Sequence, residues 1–261
     1  MAARVIPGID PAWLERLYRD DPTAHALAVW DRAVWPEVVE FRTLVEEGRP
    51  TAYLLLWRAL PGCPVVHWGG TARDPDRLLE ELPERPFLAI VPPELEPRLR
   101  ALRGPLVGYE VRLRERPAAP GPAAAGPGTV RRLRGADAEA LRRLAAADGS
   151  SVTDTYLALD PDRDWVVGGF EGDRLAAVAR AEVRLPEVWH VSGVYTAPAD
   201  RGRGRGAGVV GRLLSDAAER GARTGLFVRA DNPPALRLYD RLGFSPGVPR
   251  SWIDAGADRP P

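Results

Sequence analysis

Lysine and glutamine are absent from this 261-residue chain, asparagine occurs once, at Asn232, and cysteine and methionine occur once each. A single cysteine, Cys63, excludes an internal disulfide framework and is compatible with a reducing cytosol. No apolar run is long enough to cross a membrane as a helix and no stretch reads as a leader, so the expectation is a soluble, cytoplasmic protein. An excess of either charge is also missing. The 36 basic residues, all arginine, balance 36 acidic ones, and this argues against nucleic-acid and membrane-surface partners. No metal site is expected. What the chain does have is 45% apolar residues, enough for real cores, together with 26 glycines and 27 prolines whose placement organises the rest.

The most informative glycines lie between Arg201 and Gly208. An alternating apolar run from Val188 to Val194 reads as a strand, and Val209 to Ala218 carries helical Val/Leu spacing. Between them, Arg201-Gly202-Arg203-Gly204-Arg205-Gly206-Ala207-Gly208 is a glycine-rich turn leading into a helix start. Such a turn lets the backbone approach a ligand and aim several N–H groups at one point, and the helix end adds positive potential. An anion, most simply a phosphate group, fits. A Walker loop is excluded because there is no lysine, and the order of glycines is wrong for a dinucleotide-binding fingerprint.

A second motif follows. Gly225 to Ala230 reads as a short strand, and Asn232-Pro233 opens a helix that Gly243 stops. Arg201, Gly204 and Gly206 match R/Q-x-x-G-x-G/A, and Asn232, Ala235, Leu238, Tyr239, Gly243 and Phe244 match N-x-x-A-x-x-L-Y-x-x-x-G-F. In these two motifs the chain resembles the GNAT superfamily of N-acetyltransferases, whose first motif is the coenzyme A pyrophosphate loop. The resemblance covers roughly residues 129 to 255, where the expected elements run β-α-α-β-β-β-α-β-α-β. It implies an α/β mixed-sheet fold and acetyl-CoA as co-substrate, with coenzyme A as product.

Residues 117–128, rich in Pro, Ala and Gly, have no periodicity and read as a semi-extended linker. They separate a domain of residues 1–116 from one of residues 129–261. The front part shows helical patterns at Pro11–Arg19, Ala24–Arg32, Pro75–Leu82 and Glu94–Leu102, and strand patterns at 38–45, 51–59, 64–68, 86–91 and 109–114. That order repeats the back part, and Val65-Val66-His67-Trp68-Gly69-Gly70 echoes Val188-Trp189-His190-Val191-Ser192-Gly193. The front part has no glycine nest, and Asp74 stands where a phosphate would sit. It therefore reads as a degenerate GNAT-like domain in a tandem arrangement, with an unrelated α+β domain as the alternative.

Amide formation needs a base to take a proton from the amine and an acid near the departing thiolate. Tyr239 lies two helical turns after Asn232, on the same face, and the resemblance makes it the acid. For the base, the strand before the loop offers His190, a residue type suited to proton removal near pH 7; Glu187 is a second candidate, and packing in a core is an alternative for both His190 and Tyr239. The backbone of Val194, Tyr195 and Thr196 is expected to bond the pantetheine arm as an added strand would. The loop from Arg201 through Gly202, Arg203, Gly204, Arg205, Gly206 and Ala207, with Asn232, is expected to hold the coenzyme. Asp154 and Tyr156, in the polar segment from Ser150, are candidate acceptor contacts. The functional reading is transfer of an acetyl group to a primary amine of a small molecule or peptide by direct attack on the thioester. The alternative is a non-catalytic acyl-CoA-binding or regulatory module. A homodimer remains open.

Overall fold

The structure is a computed structural model that describes residues 3–59, 62–84, 86–104, 106–121, 128–146 and 164–256. Asp154 and Tyr156 lie outside the described residues. The chain forms two compact units, each with a mixed α/β architecture.

Unit 1 comprises Met1–Leu113, Val228–Asn232 and Gly247–Pro261. Its strands are β1 (Arg4–Pro7), β2 (Val39–Glu46), β3 (Arg49–Trp57), β4 (Val65–Gly70), β5 (Leu88–Val91), β6 (Val107–Arg116, to Leu113) and the last strand of the chain, β12 (Val248–Asp254). They are ordered β1-β2-β3-β4-β5-β12-β6, every pair antiparallel except β4 with β5. Helices α1 (Pro11–Asp20) and α2 (Pro22–Val34) start the same way: Asp10 and Asp21 accept the N–H groups of Ala12 and Ala24, and a proline whose missing N–H costs nothing occupies the first turn. They pack Trp13, Leu14 and Ala28 on Phe41, Tyr53 and Leu55. On the other face α3 (Asp76–Leu79) and α4 (Glu96–Arg103) bury Leu78, Leu79 and Leu99 against Leu54, Val66, Ala89 and Ile253.

Unit 2 comprises Arg114–Phe227 and Pro233–Pro246. It holds β7 (Val130–Arg132), α5 (Ala138–Ala146), β8 (Trp165–Glu171), β9 (Arg174–Arg184), β10 (Val188–Thr196), α6 (Arg205–Ala218), most of β11 (Arg223–Arg229) and α7 (Pro233–Arg241). The sheet runs β7-β8-β9-β10-β11, antiparallel until the parallel pair β10–β11. Helix α5 packs Leu141 and Leu144 on Val166, Val178 and Tyr195. On the opposite face α6 lies across β8, β9 and β10, where Gly169 is small enough to admit Val209.

The sequence-based cut at 117–128 differs from this division, because β12 pairs with β5 and β6 and so belongs to unit 1. The visible start of the expected linker is also packed rather than free: Gly121 N–H donates to Ser215 Oγ on α6 (3.2 Å), and a Cβ at Gly121 would strike the Gly211 carbonyl. Because both ladder partners of β12 lie between residues 88 and 116, removing residues 248–261 should destabilise unit 1 more than unit 2. Hydrogen exchange should then rise in β5 and β6 while β8 and β9 keep their protection.

Unit 1 buries a titratable pair, His25 Nδ1 and Tyr53 OH, which share a 2.8 Å hydrogen bond. Burial is the largest influence on His25 and lowers its pKa from the usual 6.5; Asp21 opposes it, and Arg250 adds to the lowering. The fold thus holds neutral His25. Its contribution is complete above pH 6.5 and is lost as pH falls below that value through the lowered pKa. His25→Leu should cost about 1–3 kcal/mol by orphaning the Tyr53 hydroxyl, and should flatten the loss of stability below pH 6.5 seen in denaturant titrations of the parent chain.

Candidate functional site

The parallel ladder between β10 and β11 has three pairs, Val188↔Arg223, Trp189↔Thr224 and His190↔Gly225. Beyond His190 the β10 edge has no ladder partner on that side among the described residues. On the β9 side the register shifts between Ser192 and Tyr195, and Gly193 takes φ 56° there, a conformation that favours glycine. The backbone of Val194, Tyr195 and Thr196 therefore presents an open strand edge, while the Tyr195 ring sits in the core against α5.

The chain then turns through Pro198–Asp200 into α6. Gly202 and Gly204 both have positive φ (76° and 77°), so the turn needs residues without a Cβ at those positions. Gly204 is the N-cap and supplies no side-chain acceptor; the first helical bond runs from Gly208 N–H to Gly204 C=O (3.0 Å). The N–H groups of Gly206 and Ala207 are thus left for a ligand, at the positive end of a 14-residue helix. Gly206 is small for a different reason. A Cβ there would lie 3.3 Å from Thr196 Oγ1 and 3.6 Å from Leu238 Cδ2, where the β10 end, the α6 start and α7 meet.

One carboxylate holds this turn. Asp200 is 1% exposed and takes both Arg174 guanidinium nitrogens (2.8 and 3.0 Å), with Arg205 Nε at 3.4 Å and Arg203 at 4.0 Å. The Arg174 hydrogen bonds, outweighing the cost of burial, hold its pKa below the usual carboxylate range. The three loop arginines consequently differ. Arg205 is buried against Asp200 and Glu171, directed into the protein. Arg201 donates Nε to the Thr196 carbonyl (3.1 Å) with its head exposed, and Arg203 is exposed beside it. These two cations, the uncapped N–H groups and the absence of side chains at Gly204 and Gly206 fit a diphosphate group.

Tyr239 lies on α7, buried, with its ring edge-on to Phe244 (5.6 Å between centroids, 69° between planes). Burial pushes its phenol up to about 12, against the pull of the Arg114 cation. Arg114, itself buried, donates to the carbonyls of Leu236, Phe244 and Ser245 and to the Asp240 carboxylate, and so fixes the end of α7. Asn232 is exposed immediately before α7, and its N–H reaches the Arg229 carbonyl at 3.2 Å.

On β10, Trp189 faces α6, stacking edge-on with Trp165, whose indole N–H reaches Asp216. The next residue, His190, therefore points to the opposite face, where it is 3% exposed and lies edge-on to Phe227 at 6.0 Å. Glu187 is exposed at the start of the strand, outside this apolar contact. Sequence reasoning missed Asp200, Arg174, Arg114 and Phe227; Asp200, directly before the glycine-arginine run, carried a readable signal as the only acid among those cations.

Residues 135–244 match the model of the Acetyltransferase (GNAT) family. The catalytic subunit NAA20 of the N-terminal acetyltransferase B complex of Arabidopsis thaliana is 34% identical over 95 residues, which are 34% of this chain and 54% of that protein; the chain thus spans about half the length of this curated relative. Among solved structures, a Drosophila protein is similar over 97% of this chain and 99% of its own (TM-score 0.76, 15% identity). A GCN5-related N-acetyltransferase from Sphaerobacter thermophilus is similar over 96% and 94% (TM-score 0.65, 16% identity). A tandem GNAT protein from the clavulanic acid biosynthesis pathway is similar over 99% and 100% (TM-score 0.59, 13% identity). These last three likenesses establish the fold.

Because Asp200 is buried among arginines, replacing it strands a charge. Asp200→Asn takes the carboxylate from buried Arg205 while Arg174 and Arg203 stay solvated, and should destabilise unit 2 by about 1–3 kcal/mol, measured by denaturant unfolding at pH 7. Its contribution in the parent chain is present above pH 3.8 and is lost as pH falls through the lowered pKa.

Proposed function

We propose, from the match of residues 135–244 to the Acetyltransferase (GNAT) family, that the protein transfers an acetyl group from acetyl-CoA to a primary amine of a small molecule or peptide. The observation that carries this reading is the open start of α6 beside the unpaired edge of β10: N–H groups for a diphosphate adjoin a strand edge for an extended arm. When bound, the coenzyme supplies the thioester acyl group. The remaining chemistry falls to this chain's side chains.

His190 accepts the proton that the acceptor nitrogen sheds as its bond to the acyl carbon forms. As the carbon–sulfur bond breaks, the Tyr239 hydroxyl donates to the departing sulfur, and solvent returns the His190 proton to the phenolate. With a phenol near 12, Tyr239 keeps its proton throughout the neutral range. Val194, Tyr195 and Thr196 hold the arm by backbone groups, and Arg201 and Arg203 neutralise its phosphates from the rim.

Unit 1 is read as a degenerate copy that holds no coenzyme. At the corresponding turn the N–H groups are already taken: Glu46 accepts from Arg73 (3.1 Å) and Asp74 (2.8 Å) and from the Thr51 hydroxyl. Burial alone would raise the Glu46 pKa, but these hydrogen bonds outweigh it and keep the carboxylate ionised where a phosphate would otherwise sit. The α3 helix that follows has four residues and little dipole to offer.

Calorimetry should accordingly find one acetyl-CoA per chain. Gly206→Glu, which sends bulk and negative charge toward Thr196, should abolish binding and lower the melting temperature only in part, the fold being retained; unchanged affinity would remove the loop from the site. In a thiol-release assay with a panel of amines, Tyr239→Phe should lower turnover roughly 10²–10⁴-fold with coenzyme affinity retained. The alkaline limb belonging to Tyr239 should appear only as pH approaches about 12, where the proton is lost. Coenzyme binding without thiol release from any amine would favour a non-catalytic binding module.

A further inference from the structure

The face of the unit 2 sheet that carries His190 carries a second polar group. Val166 on β8 pairs with Arg180 on β9, and Arg180 pairs with Ser192 on β10. Val166 belongs to the cluster under α5, so this row lies on the α5 face, opposite α6. Ser192 stands two residues beyond His190 on one strand, which places them on that face about 7 Å apart. Arg180 reaches across the row: its Nε donates to Ser192 Oγ at 2.8 Å and one Nη to Glu182 Oε1 at 2.8 Å. Its side chain is 20% exposed, while that of Glu182 is 41% exposed. The other Nη of Arg180 has no partner among the described residues.

The fold does not demand a cation there. In unit 1 the equivalent row is Tyr53 on β3 and Gly69 on β4, two residues beyond His67; His67 closes the three-pair parallel ladder of β4 and β5 as His190 closes that of β10 and β11. Gly69 leaves room for the Tyr53 ring, which a Cβ would strike at 2.1 Å, and the Tyr53 hydroxyl is spent on His25. In unit 1, then, an aromatic ring closes this position. Unit 2 keeps a hydroxyl and a guanidinium there.

We propose that Arg180, oriented by Ser192, binds a carboxylate of the acceptor, so that the acceptor class is an amine bearing a carboxylate within a few bonds of the reacting nitrogen, as in a free amino acid or a short peptide. This rests on His190 marking where the amine loses its proton. A nitrogen within hydrogen-bond reach of His190 and a carboxylate within reach of Arg180 are spanned by a short amino-carboxylate. Glu182 beside the guanidinium disfavours a doubly negative acceptor and fixes the fork of Arg180 for one carboxylate. The arginine touches substrate and sets its choice; it moves no proton.

The test uses the full chain, saturating acetyl-CoA and a thiol-release assay, with β-alanine and glycylglycine each compared with its C-terminal amide at equal concentration of free amine. The acids should show KM about tenfold below the amides, the size expected of a charge-assisted hydrogen bond. Arg180→Gln should raise KM for the acids about tenfold while leaving kcat, the amides and coenzyme affinity nearly unchanged, and Arg180→Lys should recover part of the loss. Calorimetry with acetyl-CoA checks that each variant is folded. Equal KM for acids and amides, or an Arg180→Gln effect shared by both, overturns the proposal while leaving acetyl transfer intact. Coenzyme binding with no amine acetylated overturns the transfer reading itself, and this inference with it.

Discussion

A helix start that offers its N–H groups to a ligand must be kept from satisfying them internally, and most of unit 2 around α6 follows from that constraint. Helices α1 and α2 meet the usual requirement with Asp10 and Asp21. At α6 the acid is displaced to Asp200, where it is turned inward and bound by Arg174 and Arg205 instead of capping the helix. Burying a carboxylate is costly, and the two bonds from Arg174 together with the neighbouring arginines offset that cost. The same arrangement sorts the cations: with Arg205 held inside, Arg201 and Arg203 are left at the rim, and Gly202 and Gly204 supply the left-handed backbone by which the turn leads into the helix.

The two units show one frame carried to two outcomes. Both have a three-pair parallel ladder ending at a histidine, and three residues beyond it both have a glycine with positive φ, Gly70 at 79° and Gly193 at 56°. What differs is what fills the openings. In unit 1 Glu46 occupies the N–H groups of the turn and Tyr53 covers Gly69. In unit 2 the turn is left uncapped and Ser192 and Arg180 stay half-exposed. An internal carboxylate at the turn and an internal ring over Gly69 stabilise unit 1 with its own side chains.

The strands and helices were legible where a period was carried over enough residues, as in β9, β10 and α6, and where Asp-Pro or Asn-Pro marked a start. The four-residue β1, ending in Pro7, was not, because so short an edge strand shows no alternation and takes its pairing from β2. Helix α3 was expected to be longer because Leu78, Leu79 and Leu82 share helical spacing, yet only the first two lie in the helix. The fate of β12 could not be read locally, since its neighbours β5 and β6 are more than a hundred residues away in sequence. At the site, the glycine turn and Tyr239 were visible because backbone geometry and helix spacing act locally. Arg180, Arg174 and Arg114 were not, because in a chain whose every basic residue is arginine no single one stands out until pairing puts it beside Ser192, Asp200 or Asp240.

Tyr239, the proposed acid, is at the same time a core side chain. Its ring is packed on Phe244, and that burial is what raises the phenol to about 12. A thiol titrates at roughly 8.5, so in the proposed mechanism handing over the proton in the resting state is uphill, and the phenol would act first as a hydrogen-bond donor that strengthens as charge builds on sulfur. The cation that lowers the phenol, Arg114, also grips Leu236, Phe244, Ser245 and Asp240. It therefore sets both the position of α7 and part of the potential that Tyr239 feels. A neutral residue at 114 would release the end of the helix and push the phenol higher together, so the packing of α7 and the acidity of its tyrosine are coupled through a single buried guanidinium.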